Sequence, residues 1–173
     1  MTVLPIPQVP NPALRRRTKR VRTIDASVRK LVHDMIDTMR AANGVGLAAN
    51  QVGVSLRVAV IEIPGEEKVH VLINPQILRR EGEREVDEGC LSIPGYRGTL
   101  KRSVKVRVKA LDENGREVRI RAEDNLMAQA IEHETDHLNG VLFFDRMTSF
   151  KSLTFLEEYS RYQEKTGETK ADP

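Results

Sequence analysis

The chain has 173 residues, 39% of them hydrophobic, and carries 28 basic and 25 acidic residues for a formal net charge of +3. This length and apolar content predict one globular domain over residues 1–173, with a frayed polar tail at 164–173. No run of eighteen apolar residues occurs, which excludes a transmembrane helix. The single cysteine, Cys90, excludes an internal disulfide and is typical of a reducing compartment.

The N-terminal segment is rich in proline and then in positive charge. Prolines at positions 5, 7, 10 and 12 favour an extended surface segment, and no apolar run follows a basic start, so we expect a bacterial-type cytoplasmic location rather than secretion or an organelle. Six basic residues follow within eight positions, namely Arg15, Arg16, Arg17, Lys19, Arg20 and Arg22. Without them, the 28 basic residues fall to 22 against 25 acidic ones. We predict a solvated segment, with contact to a polyanion such as RNA as the sharper alternative.

An amphipathic helix is predicted from Val28 to Ala42. Its apolar residues recur at intervals of three and four, and Asp25 and Ser27 precede it as candidates for the N-cap. His33 falls on the polar face, where a solvated position explains it fully.

A stretch of small residues follows at 44–53, after an Asn-Gly helix stop. Its glycines and alanines allow the backbone to approach another group closely, and Gln51 offers an amide donor. The stretch has no Gly-Lys-Ser/Thr ending and follows a helix rather than a strand, which argues against a phosphate-binding loop.

Strands are predicted to dominate the middle of the chain. Runs rich in Val and Ile at 57–63 and 69–73 are bounded by Pro-Gly and Asn-Pro, and alternating runs at 104–110 and 118–122 flank an Asn-Gly turn as a β-hairpin. His70 fits a strand surface. Because helices bracket these strands, we predict an α+β fold with mixed or antiparallel sheets around a central helix, and a C-terminal helix over 152–163.

The predicted central helix runs from about residue 124 to a second Asn-Gly stop and carries the pattern His-Glu-x-x-His. On a helix, His133 and His137 lie one turn apart on one face, so both imidazoles can bind one metal ion. Glu134 beside them can take a proton from metal-activated water. The pattern therefore predicts metal-dependent hydrolysis, with a fortuitous arrangement on an ordinary helix surface as the alternative.

Such a metal site needs a third protein ligand. Phe143 occupies the position at which one zinc-protease pattern has a histidine, and Glu157 and Glu158 fall in a segment better explained as a solvated helix face. Cys90 remains, and the glycine before it and the Pro-Gly beyond it predict a tight, exposed backbone around the thiol.

Three motifs together resemble the signature of the peptide deformylase family. The chain reads Gly-Val-Gly-Leu-Ala-Ala-Asn-Gln at 44–51, Glu-Gly-Cys-Leu-Ser at 88–92 and His-Glu-Thr-Asp-His at 133–137. The corresponding family patterns are Gly-x-Gly-x-Ala-Ala-x-Gln, Glu-Gly-Cys-x-Ser and His-Glu-x-x-His. All three occur here intact, in order and at similar separations, and the likeness covers about residues 1–150.

The resemblance implies a role for each of several residues. The implied metal ligands are Cys90, His133 and His137, with water as the fourth. Glu134 is the implied general base and later proton donor, while the Gln51 amide and the Leu91 backbone N–H are the implied donors to the oxyanion. The implied substrate-binding residues are Val45, Gly46, Val86, Arg97, Leu126 and Ala130. The apolar members of this last set also suit an ordinary core.

The implied reaction is removal of the formyl group from N-formylmethionine on newly made polypeptides, with release of formate. Fe²⁺ is the metal expected from the family, and Zn²⁺, Ni²⁺ or Co²⁺ can occupy the same ligand set. The expected partners are N-formylmethionyl nascent chains, with association with the ribosome as a further expectation, and no membrane. Asn125 and Gln129 depart from the residues usual at their positions, which bears on pocket shape rather than on the reaction.

Two other functions stay open at this point. The first is a zinc endopeptidase that uses the same helix with a glutamate as third ligand. The second is a non-catalytic RNA- or ribosome-binding protein with a structural metal, supported by the basic run at 15–22. The sequence does not indicate an oligomeric state.

Overall fold

The fold is α+β, as the sequence predicts. The computed structural model describes residues 2–156, in which two α-helices accompany two antiparallel sheets. The elements in chain order are α1 (Ala26–Ala41), β1 (Gly46–Ala48), β2 (Val58–Glu62), β3 (Val69–Glu81), β4 (Arg84–Cys90), β5 (Ile93–Arg102), β6 (Lys105–Leu111), β7 (Glu117–Glu123), α2 (Leu126–Leu138) and β8 (Thr154–Phe155). None of the helices in these residues is long and apolar enough to cross a membrane.

Helix α2 is the central helix of the fold. The larger sheet has the strand order β1-β2-β3-β6-β7 and the smaller one the order β4-β5-β8. Along β2, Ala59 and Ile61 pack in the cluster that contains α2, whereas Val58 and Val60 pack with α1, because successive side chains of a strand point to opposite faces. The larger sheet is therefore covered by one helix on each face, and α2 meets β4 of the smaller sheet on its other side.

Helix α1 begins and ends close to the predicted residues. The Asp25 side chain accepts hydrogen bonds from the backbone N–H groups of Ser27 and Val28 at 2.9 and 3.0 Å, which makes Asp25 the N-cap. The helix ends before Asn43, whose φ of 53° stops the helical path. His33 is exposed, as predicted for the polar face.

Strand β3 is longer than predicted, because an Asn-Pro pair that usually ends a strand is accommodated inside it. Asn74 adopts a φ of 55°, and the pairing of β3 with β6 shifts register between Ile73 and Gln76. The Asn74 side chain accepts from Val21 N at 2.8 Å and donates to Val21 O at 2.9 Å. This pair of bonds joins the N-terminal segment to the bulge.

The hairpin of β4 and β5 was not predicted, whereas the tight backbone expected at Cys90 is present as the two-residue turn Leu91–Ser92. Cys90 is the last residue of β4 and is partly buried rather than exposed. Charged Glu88 and Arg102 occupy buried positions that an apolar alternation would fill. Because the two charged residues pair with each other inside the protein, the apolar alternation that identifies a strand is interrupted in the sequence.

The C-terminal helix predicted over 152–163 begins later than expected. Thr154–Phe155 form β8, which pairs with Tyr96 and Arg97 of β5, and Leu156 is the first helical residue. The rest of that prediction, with the expected frayed tail, lies outside the described residues.

Replacing Asn74 tests how the bulge is stabilised. Asn74→Ala removes two hydrogen bonds and forces a β-carbon-bearing residue without a polar side chain into a positive φ, so we expect the free energy of unfolding to fall by about 2–3 kcal/mol. Asn74→Gly keeps the backbone relaxed and should lose only the hydrogen-bond part. Urea unfolding measures both, and equal stability of wild type and Asn74→Ala would contradict the assignment.

Candidate metal and catalytic site

Three potential metal ligands converge between β4 and α2. The Cys90 Sγ lies 3.1 Å from Nε2 of His137, which in turn lies 3.1 Å from Nε2 of His133. All three ligand atoms lie within 4.8 Å of one another. The two histidines come from adjacent turns of α2, and the cysteine comes from the end of a strand 43 positions earlier in the chain than the first histidine.

This arrangement fits a first-row divalent ion. Ligand atoms placed 2.0–2.3 Å from a tetrahedral ion stand about 3.3–3.5 Å apart, close to the observed separations. One thiolate and two imidazoles suit iron or zinc, and three protein ligands leave a fourth position open, as in catalytic rather than structural sites.

Glu88 orients one of the imidazoles. Its Oε1 lies 2.5 Å from Nδ1 of His133, so Nδ1 donates its proton to the carboxylate and Nε2 faces the other ligand atoms. Arg102 donates to both oxygens of Glu88, at 2.7 and 2.8 Å. Burial would raise the pKa of Glu88, but hydrogen bonds from Arg102 and His133 lower it to about 2. The carboxylate is therefore ionised at neutral pH.

The surroundings of the two histidines favour a positive charge on one of the rings only. Burial and the neighbouring His133 hold the pKa of His137 well below its ordinary value, so this ring is neutral and able to bind a metal. Burial acts in the same direction on His133, but hydrogen bonds with Cys90 and Glu88 raise the pKa of His133 well above the usual range. A metal cation can supply the charge that the surrounding anionic groups favour.

Glu134 is a buried carboxyl group beside the ligands. Burial raises the pKa of Glu134 to about 7, which lets the group accept and release a proton near neutrality. Its Oε2 has no hydrogen-bond partner among residues 2–156. A β-carbon at Gly46 would collide with this carboxyl group, so the first glycine of β1 makes room for it.

Gln51 directs an amide towards the same point. Its Oε1 accepts from Ala48 N at 2.9 Å, which leaves Nε2 facing the Cys90 Sγ at 3.4 Å and the Ser92 Oγ at 3.3 Å. Leu91 lies in the tight turn between β4 and β5, directly after the cysteine. The Gln51 side-chain amide is thus a hydrogen-bond donor adjacent to the ligand cluster.

A cavity of about 530 Å³ opens beside the ligands and is large enough for a side chain of methionine size. Five of the six predicted substrate-binding residues line it, namely Val45, Gly46, Arg97, Leu126 and Ala130. Val86 does not. It is buried in the cluster that contains Leu100 and Phe143, against which Cys90 also packs, and its role as a pocket wall stays a prediction.

Several residues of the site were not found from the sequence. Tyr96 lines the cavity, together with Gln129, which the sequence had connected with pocket shape and whose amide donates to the Asp87 carbonyl at 3.1 Å. Glu88 and Arg102 had no assigned role, although a metal-bound histidine ordinarily needs a carboxylate or carbonyl partner. That rule, applied to the glutamate two residues before Cys90, is the signal that could have identified Glu88.

Comparison with known proteins gives consistent matches. The family model described as polypeptide deformylase matches residues 3–152. A peptide deformylase of Dehalococcoides mccartyi (strain ATCC BAA-2100 / JCM 16839 / KCTC 5957 / BAV1) is 49% identical over 149 residues, which cover 86% of this chain and 89% of the relative. One of Halothermothrix orenii is 47% identical over 147 residues, covering 85% and 95%.

Solved structures agree in fold. The crystal structure of a peptide deformylase from Legionella pneumophila has a TM-score of 0.83 and 41% identity, and the match covers 95% of this chain and 99% of that one. A peptide deformylase from Synechococcus elongatus, solved in complex with actinonin, has a TM-score of 0.81 and 40% identity over 96% of this chain and 87% of that one.

Arg102→Met tests the buried ion pairs behind the site. The change leaves Glu88 buried without a guanidinium partner, while Asp136 keeps only Arg146, and we expect the free energy of unfolding to fall by about 3–5 kcal/mol. Arg119→Met, which removes an exposed arginine from a surface pair, should change stability little. Urea unfolding of both variants measures the difference, and similar small effects would contradict a structural role for Arg102.

Proposed function

The chain belongs to the peptide deformylase family, and from that premise we propose how its own residues perform the reaction. The protein is a metal-dependent hydrolase that removes the formyl group from the N-formylmethionine of newly synthesised polypeptides. The family and structural matches do not support the alternative of a zinc endopeptidase, and its candidate ligands Glu157 and Glu158 lie outside the described residues. We take residues 1–173 as a single deformylase domain.

Cys90, His133 and His137 are the proposed metal ligands. The observation that carries this proposal is the convergence of their three ligand atoms within 4.8 Å, next to the buried carboxyl group of Glu134. We assign Fe²⁺ as the native ion, with Zn²⁺, Ni²⁺ and Co²⁺ as substitutes, because a thiolate with two imidazoles accepts each of them. When bound, the ion supplies a nucleophile at neutral pH by lowering the pKa of water.

The cavity is the proposed site of the formylated methionine. Val45, Leu126 and Ala130 give an apolar wall for the thioether side chain, while Gly46 has no side chain to obstruct the peptide. Arg97, held by an ion pair with Asp87 at 2.7 Å, is proposed to meet the substrate backbone at the rim.

Two donors are proposed to stabilise the negative charge that develops on the formyl oxygen. These are the Nε2 amide of Gln51 and the backbone N–H of Leu91. The fixed orientation of the Gln51 amide supports this role, because its oxygen already accepts a hydrogen bond from the backbone N–H of Ala48. A donor held in place before the reaction needs no reorganisation as charge develops.

Glu134 is the proposed carrier of the proton. It removes one proton from the attacking water while the C–O bond forms, and then delivers it to the amine nitrogen as the C–N bond breaks. Formate and a free N-terminal amine are the products. A pKa of about 7 suits both transfers, because the group then accepts and donates at similar cost.

The proposed setting is the bacterial-type cytoplasm, with nascent chains at the ribosome as the source of substrate. The bacterial relatives support this setting. The substrate itself also favours it, because the formyl group is carried by newly made polypeptides.

Glu134→Gln tests the proposed base. The variant keeps the shape of the side chain but not its proton affinity, so formate release from a formyl-Met peptide should fall by about 10²–10⁴-fold in kcat. Metal content should stay near that of the wild type, measured on the same iron-loaded anaerobic sample. Glu67→Gln, at an exposed glutamate, is the control and should retain full activity. Near-normal turnover by Glu134→Gln would refute the assignment.

Cys90→Ser tests the sulfur ligand. Loss of the thiolate should weaken iron retention at least ~10-fold, as read from metal content after dialysis against a chelator. His33→Gln, at an exposed histidine outside the cluster, should retain the metal as the wild type does. Equal retention in both variants would show that the sulfur does not bind the ion.

A further inference from the structure

The basic run at 15–22, here called the basic strap, is fixed to the protein rather than free. Thr18 donates to the carbonyl of Leu138 through both its backbone N–H and its hydroxyl, at 3.0 and 2.9 Å. Lys19 N donates to Ser55 O at 3.0 Å, and Arg57 N donates to Lys19 O at 2.7 Å. The backbone of the strap therefore follows a defined path across the end of α2.

The anchoring residues turn inward and the charged ones outward. Leu14, Thr18 and Val21 are buried. Arg15 forms an ion pair with Asp145. Five exposed cations have no carboxylate within ion-pair distance in residues 2–156, namely Arg16, Arg17, Lys19, Arg20 and Arg22. Elsewhere, exposed arginines such as Arg40 and Arg97 do have such partners.

Arg57 adds a sixth positive charge beside the strap. Its guanidinium donates to the Pro75 carbonyl at 3.1 and 3.2 Å and to Asn139 Oδ1 at 2.9 Å, all of which are neutral acceptors. Burial and the positive charge of Arg17 both lower the pKa of Arg57. The fold thus holds like charges together without compensating them, which costs stability unless an anion binds there.

We propose that the basic strap and Arg57 form a docking surface for the phosphate backbone of double-helical RNA. Arginine suits this partner because its planar guanidinium binds phosphate oxygens in a bidentate manner. From residue 16 to residue 22 the strap can span at most about 20 Å, a length that covers several consecutive phosphates.

The composition of the strap favours a duplex over other polyanions. Residues 14–22 contain no aromatic side chain on which unpaired bases could stack. They also contain no exposed large hydrophobic residue that could anchor the chain in a lipid surface. Binding through the backbone phosphates is the mode that remains. The choice of RNA rests on the proposed function, since nascent polypeptides emerge from an RNA-rich assembly.

The surface lies away from the catalytic cleft. The strap contacts Leu138 at the C-terminal end of α2, whereas Leu126 at the other end lines the cavity. No residue of the strap lines the cavity, and Leu138 stands four positions, or about 6 Å along the helix, beyond Glu134, the last residue of α2 that does. A bound duplex would therefore leave the cleft open to a peptide.

A second cationic surface provides a matched control. On β6 and β7, Arg107 lies directly opposite Arg121, and Lys109 lies in the same row of outward residues. None of these three has a carboxylate within ion-pair distance in the described part of the chain, but their neighbours Lys105 and Arg119 pair with glutamates. This face is therefore less positive than the strap.

The experiment compares two triple variants with equal loss of charge. Arg16→Gln/Arg17→Gln/Arg20→Gln neutralises the strap, and Arg107→Gln/Lys109→Gln/Arg121→Gln neutralises the sheet face. Binding of a 20-base-pair RNA duplex to the full chain is followed by fluorescence anisotropy between 50 and 200 mM salt. The wild type should give a slope of about −4 in log K against log salt, and the strap variant a slope closer to zero by about 3.

The strap variant should also bind the duplex at least ~10-fold more weakly at 100 mM salt, while the sheet variant stays within about 2-fold of the wild type. An Arg→Lys version of the strap variant should restore the slope. Formate release is measured on every sample and should be unchanged, so failure of docking and failure of the proposed activity are distinguishable. Equal losses in both triple variants, unchanged binding by the strap variant, or strap-dependent binding only to phosphatidylserine-containing vesicles would each overturn the proposal.

Discussion

The site depends on one buried cation, Arg102. Its guanidinium donates to Glu88 on β4 and to Asp136 on α2, the latter at 2.6 Å. A charge in the interior is tolerated only when it is paired, so the two carboxylates and the arginine hold the smaller sheet against the central helix. Glu88 in turn orients His133. The position of Cys90 relative to the two histidines therefore follows from an ionic contact that itself touches neither the thiol nor a substrate.

Helix α2 is both deeply buried and rich in titratable side chains, two properties that ordinarily conflict. Its residues 132–137 are all buried, although five of the six are charged or titratable types. Glu132 is satisfied by Arg80 at 2.7 Å and by the backbone of Ser103 at 2.7 Å, which supports the helix structurally. By contrast, Oε2 of Glu134 and Nδ1 of His137 have no hydrogen-bond partner in the part of the chain that the structure describes. Such unsatisfied groups cost stability, and they occur where proton transfer and metal binding are proposed.

The same helix contributes to both of the proposed functional surfaces. Its first turns line the cavity proposed for formylmethionine, and its last carbonyl anchors the basic strap. The proposed substrate site at the cleft offers apolar contacts with a few directed donors, whereas the strap offers only positive charge. An enzyme that acts on growing chains benefits from such a division, because attachment through one surface does not compete with turnover at the other.

Short-range patterns in the sequence determined helix α1 with its Asp25 cap, the hairpin of β6 and β7, and the helix that carries the two histidines. The family motifs supplied the expected ligand set, because each motif is a short run of neighbouring residues that can be recognised in the chain. Only the tertiary structure decided that β4 and β5 form a hairpin and that Glu88 and Arg102 support the site. These features depend on ion pairs between segments 14 to 45 residues apart, and a charged residue at a buried strand position breaks the apolar alternation by which a strand is recognised.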